Sequence, residues 1–78
     1  MNTSTIIKSN KATLLRFEKE KMIISLEDGR EFSVPLEWFS TLRNATISQL
    51  ENYRFIGDGE GIHWEELNED ILVEDLLN

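Results

Sequence analysis

One stretch of the chain, "GDGEGIHWEELNED" at residues 57–70, combines residue types that could carry out chemistry. It holds three glycines, six carboxylates and the only histidine within fourteen positions. Glycine amides at the start of a helix bind phosphate, and carboxylate oxygens bind calcium. A histidine beside an acid can ligate a metal or transfer protons. Each of these sites needs its own spacing, which can be compared with the sequence.

The glycines lack the companions of a phosphate site. A strong phosphate-binding loop pairs its glycines with a lysine at a fixed offset, whereas here they alternate with Asp58 and Glu60, whose charges repel phosphate. The calcium loop is not matched either, because no glutamate follows at the offset that completes it. The pattern favours a tight turn between two strands. We therefore predict a positive φ for at least one of Gly57, Gly59 and Gly61.

His63 is a weak basis for a catalytic or metal site. Glu65, Glu66 and Asp70 are near it in sequence, but a single histidine without a second ligand motif is more often structural. In a strand its ring points to the opposite face from Trp64, so we expect it at the surface or an edge, hydrogen-bonded to the acidic turn that follows. The chain has no cysteine and no serine in a nucleophile elbow. We expect no enzyme activity, no metal centre and no cofactor.

Residues of the acidic turn and the two tryptophans remain as candidates for binding. Tryptophan is among the side chains best able to anchor a protein interface when it is exposed. Burial in a small core is the competing expectation, and we favour it for both tryptophans. The binding candidates are Trp38, Gly59, Gly61, His63, Trp64, Glu65 and Glu66.

The chain of 78 residues has the length of one small domain. We expect a single domain over residues 1–78, with residues 1–10 as a flexible or edge segment. No apolar run approaches the roughly 20 residues of a membrane span, and the first residues lack the apolar stretch of a secretory signal. Without cysteine there are no disulfides, so packing must hold the chain together. We predict a soluble, cytoplasmic protein.

Charge is divided unevenly along the sequence. Residues 1–30 hold six Lys/Arg against four Asp/Glu, whereas residues 31–78 hold two against eleven. No positive side chain follows Arg54, so the C-terminal third should repel phosphate backbones and attract basic protein surfaces. We therefore predict a basic protein partner and no direct binding of nucleic acid or membrane. The alternative is that these acids only keep a small protein in solution.

The N-terminal half alternates between apolar and polar residues. From Ala12 to Val34 the period is two, which predicts three strands. A two-residue loop at Lys19 and Glu20 places Phe17 opposite Met22, so that both lie on one face of a hairpin. The first two strands therefore share one apolar face.

The second connection, in "LEDGREF", allows two registers. A two-residue turn at Asp28 and Gly29 would pair Ile24 with Ser33 and divide the apolar residues between the two faces. A three-residue loop pairs Ile24 with Phe32 and places Gly29 at the left-handed position of a bulge. The three-residue loop buries more apolar surface than the two-residue turn, so we predict the three-residue loop. The predicted buried face consists of Met22, Ile24, Leu26, Phe32 and Val34.

Short helices are predicted to cover this face, because an open sheet of this size is not stable alone. In "PLEWFSTLRN", Pro35 suits a first helical turn, and the apolar residues after it recur at helical spacing. In "TISQLENY", Thr46 and Gln49 have the spacing of a capping box. The apolar side of this second helix comprises Ile47, Leu50 and Tyr53.

The last third of the chain predicts a hairpin and a helix. "YRFIG" and "GIHW" read as short strands joined by the glycine-rich turn, and "EDILVEDLLN" as a helical turn or short helix. Trp64 should pack against the helix that begins near Pro35. The predicted fold class is α+β: a small antiparallel sheet, made of a three-stranded N-terminal meander plus a short C-terminal hairpin, covered on one face by short helices.

From Asp28 to Leu77 the chain reads "DGREFSVPLEWFSTLRNATISQLENYRFIGDGEGIHWEELNEDILVEDLL". It resembles a small bacterial family, domain of unknown function 2442, in which "GIHW" followed by an acidic turn is the most specific part. The resemblance implies a compact α+β domain with an antiparallel sheet, and it brings no known reaction, cofactor or catalytic residue. Some relatives resemble one half of a two-protein pair similar to toxin-antitoxin modules, and a few bear an added helix-turn-helix domain.

The chain departs from the pattern of that family at four positions. Ser40 and Glu65 stand where the family has proline, and Asn68 stands where it has aspartate. Leu72 replaces a serine that could cap a terminal helix. These differences bear on how the last helix begins and leave the predicted fold unchanged.

Two functional hypotheses follow from the sequence. The first is a non-enzymatic protein-interaction module, the neutralising half of a two-protein system, whose acidic C-terminal surface docks a basic partner. The alternative is a small-ligand or cation-binding domain that uses the glycine-rich acidic turn at residues 57–66.

Overall fold

The computed structural model of the chain describes residues 8–77, which form two antiparallel three-stranded sheets connected by short helices. The strand orders are β1-β2-β3 in the N-terminal sheet and β4-β5-β6 in the C-terminal sheet, which confirms the α+β class. The N-terminal sheet consists of β1 (Ala12–Glu18), β2 (Lys21–Leu26) and β3 (Glu31–Pro35). A 3₁₀ helix (Leu36–Trp38), α1 (Ser40–Arg43) and α2 (Ile47–Glu51) lead to β4 (Arg54–Ile56), β5 (Gly61–Trp64), β6 (Glu69–Leu72) and α3 (Val73–Leu76).

The N-terminal meander has the predicted register. Ile24 lies opposite Phe32, and a three-residue loop with Gly29 at φ 99° connects their strands. In the first hairpin, Lys19 and Glu20 both have positive φ, at 46° and 65°. Two successive left-handed residues give the turn whose twist matches that of paired strands. The loop lengths and the apolar pattern therefore agree on one register.

The buried face of this sheet is close to the predicted one, with one exception. Four of the five predicted residues are buried, but Phe32 is only partly buried. It lies on β3, an edge strand, where the guanidinium carbon of Arg30 sits 5.6 Å from its ring centroid. An edge position leaves one side of the ring without a neighbouring strand, so this part of the prediction was wrong. The four buried residues are Met22, Ile24, Leu26 and Val34.

The predicted helix after Pro35 is interrupted. Pro35 is the last residue of β3, and the 3₁₀ helix after it ends at Phe39, whose extended backbone has φ −129° and ψ 106°. A new helical turn, α1, starts at the next residue. Leu36 and Leu42 are buried, whereas Trp38 is 64% exposed. The expectation that Trp38 would be buried was therefore wrong.

The second helix has the predicted cap. The Thr46 hydroxyl accepts from the Gln49 amide at 3.1 Å, and the Gln49 side-chain oxygen accepts from the Thr46 amide at 2.9 Å. Leu50 is buried and Tyr53 half-buried, but Ile47 is exposed. A helix of five residues makes little more than one turn, so only part of the predicted apolar side reaches the core.

The segment after β5 is a strand where a helix was predicted. Glu69–Leu72 pairs with β5, so the predicted hairpin becomes a three-stranded sheet and the final helix is confined to Val73–Leu76. Ile71 and Val73 are buried, while Leu72 between them is exposed. That alternation is typical of a strand whose two sides meet different environments.

The glycine-rich turn joins the two sheets. Gly57 and Gly59 have φ 61° and 100°, as predicted. The Ala12 amide donates to the Gly59 carbonyl at 2.8 Å, so the turn lies directly against β1. A Cβ on Gly59 would come within 2.6 Å of the Ala12 carbonyl oxygen. Glycine is therefore required here both for its backbone conformation and for its lack of a side chain.

Trp64 is at the centre of the core. It is fully buried, and its indole Nε1 donates to the Leu50 carbonyl of α2 at 2.9 Å. Its polar partner thus lies in α2 and not in the segment that begins near Pro35. The buried cluster contains residues of both sheets, so the two sheets share one core.

The predicted N-terminal segment is only partly described. The Ser9 amide donates to the Asp28 carboxylate at 2.9 Å, which attaches this part of the chain to the β2–β3 loop. Residues 1–7 lie outside the described residues. Within residues 8–77 there is no helix with the length and apolar character to cross a membrane.

Substitution of Gly59 by alanine should destabilise the fold more than the same change at Gly29. Both have φ near 100°, but a Cβ on Gly29 would meet no atom within 4 Å. Gly29→Ala should therefore lose about 1–2 kcal/mol from left-handed strain alone. Gly59→Ala should lose ~1–3 kcal/mol more, because its methyl group overlaps the β1 backbone. Urea unfolding of both variants measures the difference, and equal losses would contradict the proposed role of Gly59.

Trp64→Ala should lower the free energy of unfolding by about 3–5 kcal/mol, because a fully buried ring is replaced by a cavity. Trp64→Phe should lose less, since it keeps most of the apolar volume, although it leaves a smaller cavity and takes the indole donor from the Leu50 carbonyl. Denaturant titration followed by circular dichroism distinguishes the two. A loss below about 1 kcal/mol for Trp64→Ala would show that the ring is not a core element.

Candidate functional site

The outer face of the C-terminal sheet brings together two rows of side chains. In the first row, His63 of β5 lies between Arg54 of β4 and Asp70 of β6. In the second, Gly61 lies between Ile56 and Leu72. Residues two apart in a strand share a face, so the rows are neighbours on the surface that points away from the core. One row is polar and the other is apolar.

His63 is held by carboxylates on both ring nitrogens. Nδ1 is hydrogen-bonded to the Asp70 carboxylate, and Nε2 lies 3.0 Å from Oε1 of Glu65. The guanidinium of Arg54 donates to that same Glu65 oxygen at 3.4 Å. The His63 side chain is 15% exposed and lies on the central strand. It does bond to the acidic turn as predicted, but it is neither at an edge nor fully at the surface.

These contacts determine the chemistry open to the imidazole. The bond to Asp70 is the main cause that raises the pKa of His63, and Glu65 adds to it, while partial burial opposes them. Both ring nitrogens face carboxylate oxygens, so a metal or a substrate would have to displace one of these contacts to reach the ring. No group of three His, Cys, Asp or Glu side chains within residues 8–77 is arranged to hold a metal ion. His63 therefore links β5 to Asp70 of β6 and to Glu65 of the following turn, and we call this set of contacts the His63 clasp.

Beside the polar row lies a groove with a volume of about 650 Å³. At its base lies Gly61, which is itself buried between the exposed side chains of Ile56 and Leu72. A Cβ on Gly61 would lie 3.6 Å from Cβ of Ile56 and 3.7 Å from Cδ2 of Leu72, which is ordinary van der Waals contact. Trp38 lines the same groove. We call this site the outer groove.

The outer groove concentrates exposed apolar surface. Three of its residues are large hydrophobic side chains in contact with solvent: Trp38 is 64% exposed, Ile56 45% and Leu72 56%. Only two other large hydrophobic side chains within residues 8–77 are comparably exposed, Leu14 and Ile47. Exposed apolar residues that cluster in this way mark interaction sites more often than isolated ones do.

All charged residues that line the outer groove are acidic. They come from the turn before β5, from β6 and from α3, so residues distant in sequence converge on one surface. No lysine or arginine of the described chain is among the lining residues. The four acids are Glu60, Glu69, Asp70 and Asp75.

The predicted candidates divide between the outer groove and its surroundings. Trp38 and Gly61 line the groove, and His63 reaches it through Asp70. Glu65 lies on the polar row, bonded to His63 and Arg54.

The remaining candidates have structural contacts. Glu66 accepts from the Gln49 side chain at 3.0 Å, which attaches the turn to α2. Gly59 is buried against β1, and Trp64 is buried in the core, where no partner can reach it.

Sequence reasoning missed the residues that β6 and α3 contribute. Leu72 and Asp75 were included in a terminal helix, and Ile56 was treated only as part of a strand. The sequence itself gave no alternation to indicate a strand, because Ile71, Leu72 and Val73 are all apolar. Glu60 could not be assigned to the acidic rim of the groove without knowing how the glycine turn is oriented.

Comparison with known proteins gives a family and a related structure. The family model "Protein of unknown function (DUF2442)" matches residues 12–78. A crystal structure of a protein of unknown function from Rhodospirillum rubrum ATCC 11170 is similar with a TM-score of 0.75 and 30% sequence identity. The match covers 86% of this chain and 83% of that chain. No curated protein matches the chain significantly.

The clasp at His63 should make stability depend on pH. Its pKa is raised in the folded chain above the ordinary 6.5, so the folded state binds the proton more tightly. This contribution is complete below pH 6.5 and is lost as pH rises through the folded pKa. Denaturant unfolding measured from pH 6.5 to above the folded pKa should show this decrease in the free energy of unfolding. His63→Gln should remove this part of the pH dependence. An NMR titration that gave His63 a pKa at or below 6.5 would contradict this assignment.

Proposed function

This chain belongs to the DUF2442 family, and from that premise we propose that it is a non-enzymatic protein-interaction module that docks a basic protein partner. The outer groove is the observation that carries the proposal. It combines exposed apolar side chains with a rim on which all four charged residues are acidic.

The two parts of the groove would contribute differently to binding. Burial of Trp38, Ile56 and Leu72 by a partner supplies affinity, and an exposed tryptophan is a typical anchor of an interface. The carboxylates accelerate encounter with a basic surface and select against acidic partners. The same negative charge disfavours nucleic acids and anionic membranes.

We further propose that the module is the neutralising half of a two-protein system in the bacterial cytoplasm. The resemblance of relatives to members of such pairs supports this assignment. So does the division of charge, since the acidic C-terminal region would meet a partner of opposite sign. A small domain with an exposed apolar groove suits the role of a subunit that covers a site on another protein.

Cation binding at residues 57–66 has less support than protein binding. Three of the carboxylates in that turn already have partners within the chain. Asp58 lies 3.3 Å from the Lys11 ammonium, Glu65 contacts His63 and Arg54, and Glu66 contacts Gln49. A cation would have to displace these contacts. Catalysis by His63 likewise has little support, since both of its nitrogens are engaged.

The proposal can be tested by capturing a partner and comparing two pairs of neutralised acids. Glu60→Gln with Asp75→Asn removes two charges from the groove. Glu20→Gln with Glu51→Gln removes the same number from exposed positions outside it. The partner is identified by mass spectrometry from the native host at low salt, then purified, and its affinity is measured by calorimetry.

The partner should be basic, and the groove pair should weaken binding about 3- to 30-fold, as two ion pairs of modest strength predict. The control pair should change the affinity less than about twofold. If both pairs of substitutions weakened binding equally, the effect would come from the net charge of the protein and not from the groove. Absence of any partner at low salt would overturn the proposal itself.

A further inference from the structure

The dipeptide Asp-Gly occurs twice in the chain, at residues 28–29 and 58–59. This dipeptide is prone to spontaneous isomerisation, because glycine has no side chain to hinder attack by its amide nitrogen on the preceding carboxyl group. Both glycines lie between strands, with φ 99° and 100°. The reactivity of each site therefore depends on the contacts that hold its carboxyl group and its amide.

At the first site the structure restrains both reacting groups. The Asp28 carboxylate accepts from the Ser9 amide at 2.9 Å, from the Arg30 amide at 3.1 Å and from Arg30 Nε at 2.9 Å. The Asp28 side chain is only 7% exposed. The Gly29 amide, which would be the nucleophile, donates to the Leu26 carbonyl at 3.1 Å. Cyclisation at Asp28 would therefore break several hydrogen bonds together.

The same contacts keep the Asp28 carboxyl group ionised. The Ser9 amide is the main cause that lowers the pKa of Asp28, and Arg30 adds to it, while desolvation opposes them. Cyclisation proceeds mainly through the uncharged carboxylic acid, since its hydroxyl group can leave as water. Because a lowered pKa makes the uncharged acid rarer at neutral pH, it protects Asp28 further.

The second site has few such restraints. The Asp58 side chain is 88% exposed, and its one polar contact among residues 8–77 is the Lys11 ammonium at 3.3 Å. An ion pair between exposed groups contributes little to stability. Among the same residues, the peptide unit that joins Asp58 to Gly59 makes no hydrogen bond through its carbonyl oxygen or its amide. This peptide unit can therefore rotate, so that the Gly59 nitrogen can approach the Asp58 carboxyl group.

We propose that Asp58 is a site of spontaneous isomerisation to isoaspartate in the folded chain, whereas the contacts of Asp28 protect it. The Gly59 nitrogen attacks Cγ of the protonated Asp58 side chain. A C–N bond forms, the bond from Cγ to its hydroxyl oxygen breaks, and the hydroxyl leaves as water with the amide proton. Solvent water then opens the cyclic imide. Opening at Cγ restores aspartate, and opening at the main-chain carbonyl leaves Gly59 linked through the side chain of residue 58.

The product disturbs the junction between the two sheets. Isoaspartate adds a carbon atom to the main chain directly before Gly59, whose carbonyl accepts from the Ala12 amide at 2.8 Å. This contact has no spare room, since a Cβ on Gly59 would lie 2.6 Å from the Ala12 carbonyl oxygen. Gly57 and Glu60, on either side of the dipeptide, line the outer groove. Isomerisation therefore alters the edge of that groove as well as the junction.

Ageing of the folded full chain at neutral pH, in water enriched in heavy oxygen, tests the difference between the two sites. Each passage through the imide inserts one heavy oxygen atom, and electron-transfer fragmentation of proteolytic peptides identifies isoaspartate. Residue 58 should accumulate both at least about tenfold faster than residue 28, because the hydrogen bonds of Asp28 must open first. A smaller difference, or a faster reaction at residue 28, would overturn the proposal.

The unfolded chain separates the effect of the fold from that of the neighbouring residues. In urea the contacts of Asp28 are lost, so the rates at the two sites should converge. An undiminished preference for residue 58 in urea would show that the local sequence causes it, and this too would overturn the proposal. In the folded chain, Arg30→Gln removes one of the bonds that hold Asp28 and should accelerate isomerisation there.

Asp58→Glu provides the matched control, because it keeps the charge but would have to close a larger ring. It should abolish isomerisation at residue 58 and leave the rate at residue 28 unchanged. Wild-type chain isomerised at residue 58 should unfold at a lower urea concentration than unmodified chain, whereas aged Asp58→Glu should keep its midpoint. Equal midpoints for the modified and unmodified wild type would refute the disturbance of the junction. None of these measurements uses a binding partner, so their outcome is independent of the proposed function.

Discussion

The contact between Gly59 and the backbone of Ala12 is the constraint on which the rest of the structure depends. The chain has no cysteine to link its two sheets, so their relative position is determined by packing and hydrogen bonds. The Gly59 carbonyl accepts from the Ala12 amide where β1 has an irregular register, between Ala12 and Leu14. Only a residue without a side chain allows this approach, and it places β5 beside the N-terminal sheet.

Once β5 is fixed, the alternation of its side chains divides core from surface. Ile62 and Trp64 point inward and are completely buried, while Gly61 and His63 belong to the outer face. The same alternation places Ile71 inside and Leu72 outside. The core and the outer groove are thus two sides of one sheet. The apolar side chains of the groove face outward because they lie opposite Gly61 in the strand pairing.

The fold could be predicted from the sequence where loop length and apolar pattern indicated the same structure. It could not be predicted where the pairing of distant strands determined the structure. The meander could be predicted because loop length and apolar pattern favoured the same register. The strand β6 could not, because its four residues place Ile71 beside Leu72, which also suits a helix. Its pairing with β5 depends on the turn before it, where Asn68 has φ 54°. Exposure of Trp38 escaped prediction for a similar reason, since it follows from the break at Phe39.

The charge of the outer groove depends on how its acids are partnered. Asp70 lines the groove but is hydrogen-bonded to the ring of His63, which in turn contacts Glu65. These contacts raise the pKa of His63, and when the ring is protonated its charge balances that of the carboxylate nearest to it. Because opposite charges in contact largely cancel at a distance, the negative field of the groove comes mainly from Glu60, Glu69 and Asp75. The contacts of His63 with Asp70 and Glu65 thus leave the other carboxylates of the outer groove as its acidic part.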